Sequence, residues 1–220
     1  MRGLLACALL ALAIPAGAAT AGAAAAGAAP AGAATAGTGS ELLAGIQARL
    51  GTARVTRGQY EQTRVLAGIS RPLRGNGSFT VDRERGVLWR TTTPFASELR
   101  ISHDEILQRE GGQTLMQLSA QREPAVRAVC TVLFALFAAD LNTLARYFSY
   151  AGEQGAHGWS LRLVPRDAGM RRIIRGIALS GDRTVAHAEL TAASGDLLRI
   201  DFRDVATADA LTPAEAAAFE

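Results

Sequence analysis

The chain has 220 residues, of which 49% are hydrophobic, 5% aromatic and 20% charged, with a formal charge of +3. That balance suits one soluble domain, and the 23 cations, all of them Arg, are scattered among 20 acids, which gives no footing for nucleic-acid binding. Arg2 precedes an apolar run, Leu4 to Ile14, which Pro15 ends and Ala16-Gly17-Ala18 follows. This is the pattern of an export signal, expected over residues 1–18 with cleavage near Ala18. Leu4-Leu5-Ala6-Cys7 looks superficially like a lipobox, but only six residues precede the cysteine, too few for a full apolar region. Cleavage discards Cys7 and leaves Cys130 as a lone thiol that forms no internal disulfide.

Residues 19–39 are Ala, Gly, Thr and Pro, with nothing large enough to anchor a core, and read as a flexible leader before a domain over residues 40–220. Ser40 is an N-cap for a helix whose Leu42, Leu43, Ile46 and Leu50 share one face, with Gly51 as its stop. The pattern then changes to short strands: Val55 to Leu66, Leu73 to Val81, Val87 to Thr92, Phe95 to Ile101, Glu105 to Arg109 and Gln113 to Ser119. Gly75, Gly77, Gly86, Pro94 and Gly111-Gly112 punctuate them.

Pro124 opens a helical segment that contains "AVCTVLFALFAADL", Ala128 to Leu141. Fourteen residues of helix rise about 21 Å, short of the roughly 30 Å of a bilayer core. The stretch is therefore a cover rather than a membrane span. Val129, Val132, Leu133, Leu136 and Phe137 form a broad face and Phe134 reaches its flank, more apolar surface than packing on one sheet requires. Asp140 caps a second helix with Leu141, Leu144, Ala145 and Phe148 on one face. Further strands follow, Trp159 to Val164, Met170 to Leu179, Thr184 to Thr191 and Leu197 to Phe202, with hairpin turns at Ser180-Gly181-Asp182 and Ser194-Gly195-Asp196. Thr212-Pro213-Ala214-Glu215 is a capping box that starts a terminal helix.

The fold expected is α+β: some ten antiparallel strands in a curved sheet that forms an incomplete β-barrel, lidded by helices. Catalytic chemistry is sparse. His103, His157 and His187 stand at no ligand spacing, so no metal site is expected, and no phosphate loop or nucleophile elbow is present. Asp82-Arg83-Glu84-Arg85 reads as a solvated hairpin tip, and Cys130 lies in apolar surroundings that would raise its pKa. No catalytic residue and no cofactor is expected. A curved sheet under an apolar cover points to binding of an apolar ligand. The cavity candidates are Trp89, Phe95, Leu99, Leu133, Phe134, Phe137, Leu141, Leu144 and Phe148.

"GQYEQTRVLAGISRPLRGNGSF", Gly58 to Phe79, followed by "RGVLWRTTTPF", Arg85 to Phe95, resembles the outer-membrane lipoprotein carrier protein family, LolA. The resemblance runs through Tyr60, Gln62 and Arg64 on the first strand, Gly77 to Phe79, Leu88-Trp89 and Pro94-Phe95. In the second half it rests on Leu161 to Pro165, Ile177 to Gly181 and Gly195-Asp196. It implies a periplasmic carrier that binds acylated lipoproteins or another lipid cargo, with an inner-membrane transporter as donor and an outer-membrane receptor as acceptor. It also implies that Trp89 contributes to the cavity and that Arg83, six residues before it, holds the lid closed. "RISHDEILQREGG" and the longer lid depart from the best-known members and mark a divergent branch. Two other readings stay open on the residues alone: a periplasmic sensor or scaffold that uses the same fold to bind a partner, and a hydrolase using Cys130, or a Ser with a His.

Overall fold

The computed structural model describes residues 39–122 and 124–220. The expected signal peptide, and the expected leader up to residue 38, lie outside the described residues. The first element is a helix, α1 (Gly39–Leu50), which buries Leu43 and Ile46. It stops where expected, at Gly51, whose φ of 70° takes the left-handed conformation that suits glycine after a helix.

Six strands follow: β1 (Val55–Val65), β2 (Leu73–Asp82), β3 (Gly86–Thr93), β4 (Ser97–Ile101), β5 (Glu105–Glu110) and β6 (Gln113–Ser119). Two helices, α2 (Pro124–Phe137) and α3 (Leu141–Tyr147), lead to β7 (Phe148–Gly155) and β8 (Gly158–Pro165). A single turn of helix, α4 (Ala168–Arg171), precedes β9 (Ile174–Gly181), β10 (Val185–Ala192), β11 (Leu197–Ala208) and the closing helix α5 (Pro213–Ala218). The eleven strands form one antiparallel sheet in the order β6-β5-β4-β3-β2-β1-β11-β10-β9-β8-β7. Each half of the chain is a meander. The halves join where β1 pairs with β11, from Val55 opposite Ala208 to Val65 opposite Leu197. The sheet ends at β6 and β7 and does not close on itself.

One strand escapes the sequence reading. β7 offers little alternation to detect, because it is an edge strand on which Phe148 is the single buried residue. Phe148 itself, expected on the face of the second lid helix, is that helix's C-cap in extended conformation and the first residue of β7. The expected strand Met170 to Leu179 likewise begins later, at Ile174, because Asp167 caps α4 by accepting a hydrogen bond from the Met170 backbone N–H at 2.9 Å. At the β2–β3 tip, Asp82 is not solvated but fully buried. Its carboxylate accepts from the Glu84 and Arg85 backbone N–H groups at 2.7 and 3.1 Å and so builds the turn.

The core has two parts. One gathers Tyr60, Phe79, Trp89, Leu99, Ile101 and Ile106 from β1 to β5, with Leu198 and Ile200 of β11, under Val126, Val129, Cys130 and Leu133 of α2. The other gathers Trp159, Leu161, Leu163, Ile174, Ile177 and Leu179 from β8 and β9 with Leu43 and Ile46 of α1, Leu141 and Leu144 of α3, and Val132 and Ala135 of α2. Helix α2 therefore belongs to both, which accounts for its surplus of apolar surface. Laid flat, eleven strands would span on the order of 48 Å, more than twice the roughly 21 Å length of α2. Only a curled sheet brings β3 to β6 and β8 to β9 within reach of one such helix.

Leu144 is fully buried at the meeting of α1, α3 and β8. Leu144→Ala should cost about 2–5 kcal/mol, measured as a lower urea midpoint with an unchanged m value. An m value that also changes would show that the lid separates from the sheet as an independent unit.

Candidate functional site

A cavity opens between the concave face of the sheet and the C-terminal end of α2. Its sheet wall is built from alternate, inward-facing residues of the second meander: Ile177 and Leu179 on β9, Leu190 on β10, and Leu198, Phe202 and Val205 on β11, with Phe79 from β2. Its helical wall is Leu133, Leu136, Phe137, Ala138 and Ala139. Two small residues follow α2 where this space lies. Phe134 and Leu136 accept the Ala138 and Ala139 backbone N–H groups at 2.8 and 3.2 Å, and Ala139 turns the chain with φ 49°. Asp140 then caps α3, accepting from the Thr143 backbone N–H at 3.1 Å and from the Thr143 hydroxyl at 2.7 Å. The Gln47 side chain of α1 accepts from the Leu141 N–H at 3.0 Å, so α1 fixes the same corner.

The cavity, open at one side, has a volume of about 130 Å³. That approaches the ~150 Å³ of an engineered apolar cavity that admits benzene. An acyl chain needs more, so entry of one requires the α2–α3 corner to move off the sheet.

Among the expected cavity residues, Leu133 and Phe137 line this space, and Arg83 lies on its wall near β1 and β2. The Arg83 Nε donates to the Ala53 carbonyl at 3.0 Å, which ties it to the segment that enters β1. Trp89 sits one layer deeper: its ring lies 5.2 Å from Phe137 and 3.8 Å from Tyr60, and it is buried. Leu99 is buried in the same part of the core without reaching the cavity. Phe134 packs at the flank, its ring 4.7 Å from that of His103. Leu141, Leu144 and Phe148 are core residues of the other part and are not among the cavity's walls. Phe95, 52% exposed, stands in the turn between β3 and β4, at the end of the sheet opposite the Arg83 turn.

The sequence reading passed over the contribution of β9 to β11. Its signal was present in the alternation Leu198, Ile200, Phe202, which marks an inward face without saying whether core or cavity covers it.

Titratable chemistry near the cavity is quiet. Burial pushes the Cys130 thiol up to about 11, with Asp104 adding to the effect. At neutral pH it is a protonated, fully buried thiol, unlike an activated nucleophile. Burial also raises Tyr60 to about 12; its hydroxyl lies 2.9 Å from that of Thr91. His187 faces Asp201 at 2.6 Å on the outer side of the sheet. Among the described residues no group of His, Cys, Asp and Glu could hold a metal ion, and no helix is long and apolar enough to cross a membrane.

With this geometry in view, the comparisons are specific. The family model described as outer membrane lipoprotein carrier protein LolA-like matches residues 31–219. The chain belongs to this LolA-like family. Among solved structures it is similar to a DUF1329 family protein from Desulfovibrio piger, with 9% identity and a TM-score of 0.45 over 82% of this chain and 97% of that one. It is similar to a LolA superfamily protein from Nitrosomonas europaea, with 9% identity and a TM-score of 0.43 over 80% and 96% of the two chains. A third is an outer membrane lipoprotein-sorting protein domain from Vibrio parahaemolyticus, at 8% identity and a TM-score of 0.41 over 80% and 94%. No curated protein matches in sequence.

The Cys130 shift has a checkable consequence for stability. The unfolded thiol ionises near 9.0 and the native one near 11, so between these values the unfolded chain loses a proton that the folded chain keeps. Stability should fall as pH rises past 9, and Cys130→Ala should flatten that fall between pH 9 and 10 in urea titrations. Peptide mapping should also find Cys130 unlabelled by iodoacetamide at pH 8 until denaturant is added.

Proposed function

We propose that this LolA-like protein is a periplasmic carrier that holds acyl chains of a lipoprotein, or of a related lipid, between the sheet and α2. In this reading it receives its cargo from an inner-membrane transporter and passes it to an outer-membrane receptor. The observation that carries the reading is the apolar cavity where the helical cover meets the unclosed sheet, walled by Leu133, Phe137, Leu179, Leu190, Leu198 and Phe202. The family match agrees with it.

The energetics suit a shuttle. Each buried methylene is worth about 0.8 kcal/mol, so a multi-chain anchor does not leave a membrane for water unaided. A carrier must cover that surface and still release it. The cover here is held by contacts that can part: Phe137 leans on Trp89, while α3 and α1 grip the second part of the core. Trp89 would then form the floor on which an inserted chain rests once Phe137 swings away. Leu99 and Phe134 would belong to the wall of the widened cavity. Leu141, Leu144 and Phe148 would stay with the second part of the core and anchor the lid, and Phe95 would meet cargo or partner outside the cavity. Arg83, expected to hold the lid closed, would act from the cavity wall, although its hydrogen bond runs to Ala53 ahead of β1 rather than to α2 or α3.

The test is lipid extraction and mass spectrometry of protein purified from the periplasm without detergent, followed by titration with a fluorescent acyl probe. Co-purified acyl lipid and saturable probe binding are expected; an empty cavity that also refuses the probe would sink the carrier reading. Ala138→Leu, which fills the space at the end of α2, should weaken probe binding at least about tenfold, the effect of some 1.4 kcal/mol, with the thermal midpoint held or raised. Phe137→Asp should abolish probe binding by placing a charge in the apolar wall.

A further inference from the structure

The cavity is not apolar all the way out. Its mouth lies at the end of the sheet where β1 and β10 begin and β11 ends, and there the walls change to Thr56, Thr184, Thr207 and two arginines, Arg83 and Arg183. Arg83 comes from the β2–β3 turn and Arg183 from the β9–β10 turn, so each half of the sheet supplies one guanidinium.

Several carboxylates near this mouth are engaged by other arginines. Arg54 takes Asp82 and Glu84, at 3.4 and 2.9 Å. Arg57 takes Glu215 at 3.1 Å, and Arg49 takes Asp182 at 2.6 Å. Glu189, whose residue borders the cavity, turns its carboxylate to Arg199 on the outer face at 2.8 Å. Among the described residues neither Arg83 nor Arg183 has a carboxylate partner: Arg83 Nε donates to a neutral carbonyl, and Arg183 is exposed in its turn. An apolar slot whose lining ends in Arg83, Arg183 and three threonines has the polarity of an amphiphile with a negative head.

We infer that the cargo is a lipid whose headgroup carries a negative charge, phosphate or carboxylate, bound with its chain in the apolar cavity and its head between Arg83 and Arg183. The inference rests on the carrier reading above and names the class of lipid it takes. Guanidinium groups match phosphate and carboxylate oxygens with paired, charge-assisted hydrogen bonds. An uncharged head at the same place would leave two like charges facing each other across the mouth without compensation. The threonine hydroxyls remain for ester or glycerol oxygens of the same headgroup.

Three probes of equal chain length separate the possibilities: hexadecanol, hexadecanoate and hexadecyl phosphate, each titrated against the mature protein at low and at physiological ionic strength. The two anions should bind at least about tenfold more tightly than the alcohol, as expected where hydrogen bonds to a charged group are gained. Which anion binds more tightly distinguishes a phosphate head from a carboxylate one. Arg183→Ala should bring the ratio of anion to alcohol affinity towards one. Arg83→Gln is the companion variant, and circular dichroism melting checks that both are folded. A wild-type ratio near one, with all three probes bound, overturns the anionic-head assignment and leaves the carrier intact. A ratio that survives in both variants overturns it as well. Failure of all three probes removes the carrier reading together with this one.

Discussion

The architecture depends on one helix being buried from two sides. Helix α2 gives Val129, Cys130 and Leu133 to the part of the core built on β1 to β5, and Val132 and Ala135 to the part built on β8 and β9. A helix that packs on one flat sheet needs an apolar stripe and leaves its back to solvent. This one is clamped inside a curl, and the sheet can curl around it because its two meanders meet at the long β1–β11 pairing rather than at a closed seam. The chain order follows from the same constraint. Strands β1 to β6 run outward to one edge, the helices cross the concave face, and β7 to β11 run back from the other edge.

The cavity is what this clamp leaves unfilled. Val126, Val129 and Cys130 pack α2 against the sheet, whereas past its last turn, walled by Leu133, Leu136 and Phe137, the small Ala138 and Ala139 leave space. Ala139 holds a left-handed φ of 49°, a conformation that is costly for a residue with a Cβ, on the order of 1 kcal/mol. That cost is borne between α2 and α3, at the wall of an apolar space that borders both helix and sheet. Small residues, a strained turn and a cavity coincide at one point, which is where an opening motion would begin.

Much of this was legible in the sequence. Turn residues and alternation placed ten of eleven strands, and the capping signals at Asp140 and Thr212 are realised as caps. The surplus of apolar residues on α2, read as surface for an apolar guest, is taken up in large part by the second part of the core. What the sequence could not carry was the layer each apolar face meets. Leu141 and Leu144 form as good a face as Leu133 and Phe137, yet one pair is sealed against β8 and β9 while the other borders empty space. Trp89 stands out as a rare aromatic but is capped by Tyr60 and Phe137 rather than bared to the cavity. Asp82 reads as one charge in a run of charges, because burial of a turn-building carboxylate depends on Arg54, which lies 28 residues away.

The unclosed sheet bears directly on how a carrier could work. In a closed barrel, strand number and stagger fix the radius, so the interior volume cannot change without breaking hydrogen bonds between strands. Here β6 and β7 are free ends, and the gap between them is bridged by helices through side-chain contacts alone. One free end is guarded: Arg49 of α1 donates to the Gly155 and Ala156 carbonyls at 2.7 and 2.8 Å, and α1 itself packs against β7. Rotation of α2 away from the β1 to β5 half would leave every ladder intact while α3 stayed anchored to α1 and β8. On the carrier reading, the 130 Å³ space and an open groove would be two positions of one lid, separated by the apolar contacts of Phe137 and its neighbours. An acyl chain that replaced those contacts with its own would offset the cost of opening, so the guest itself would supply the difference between the two states.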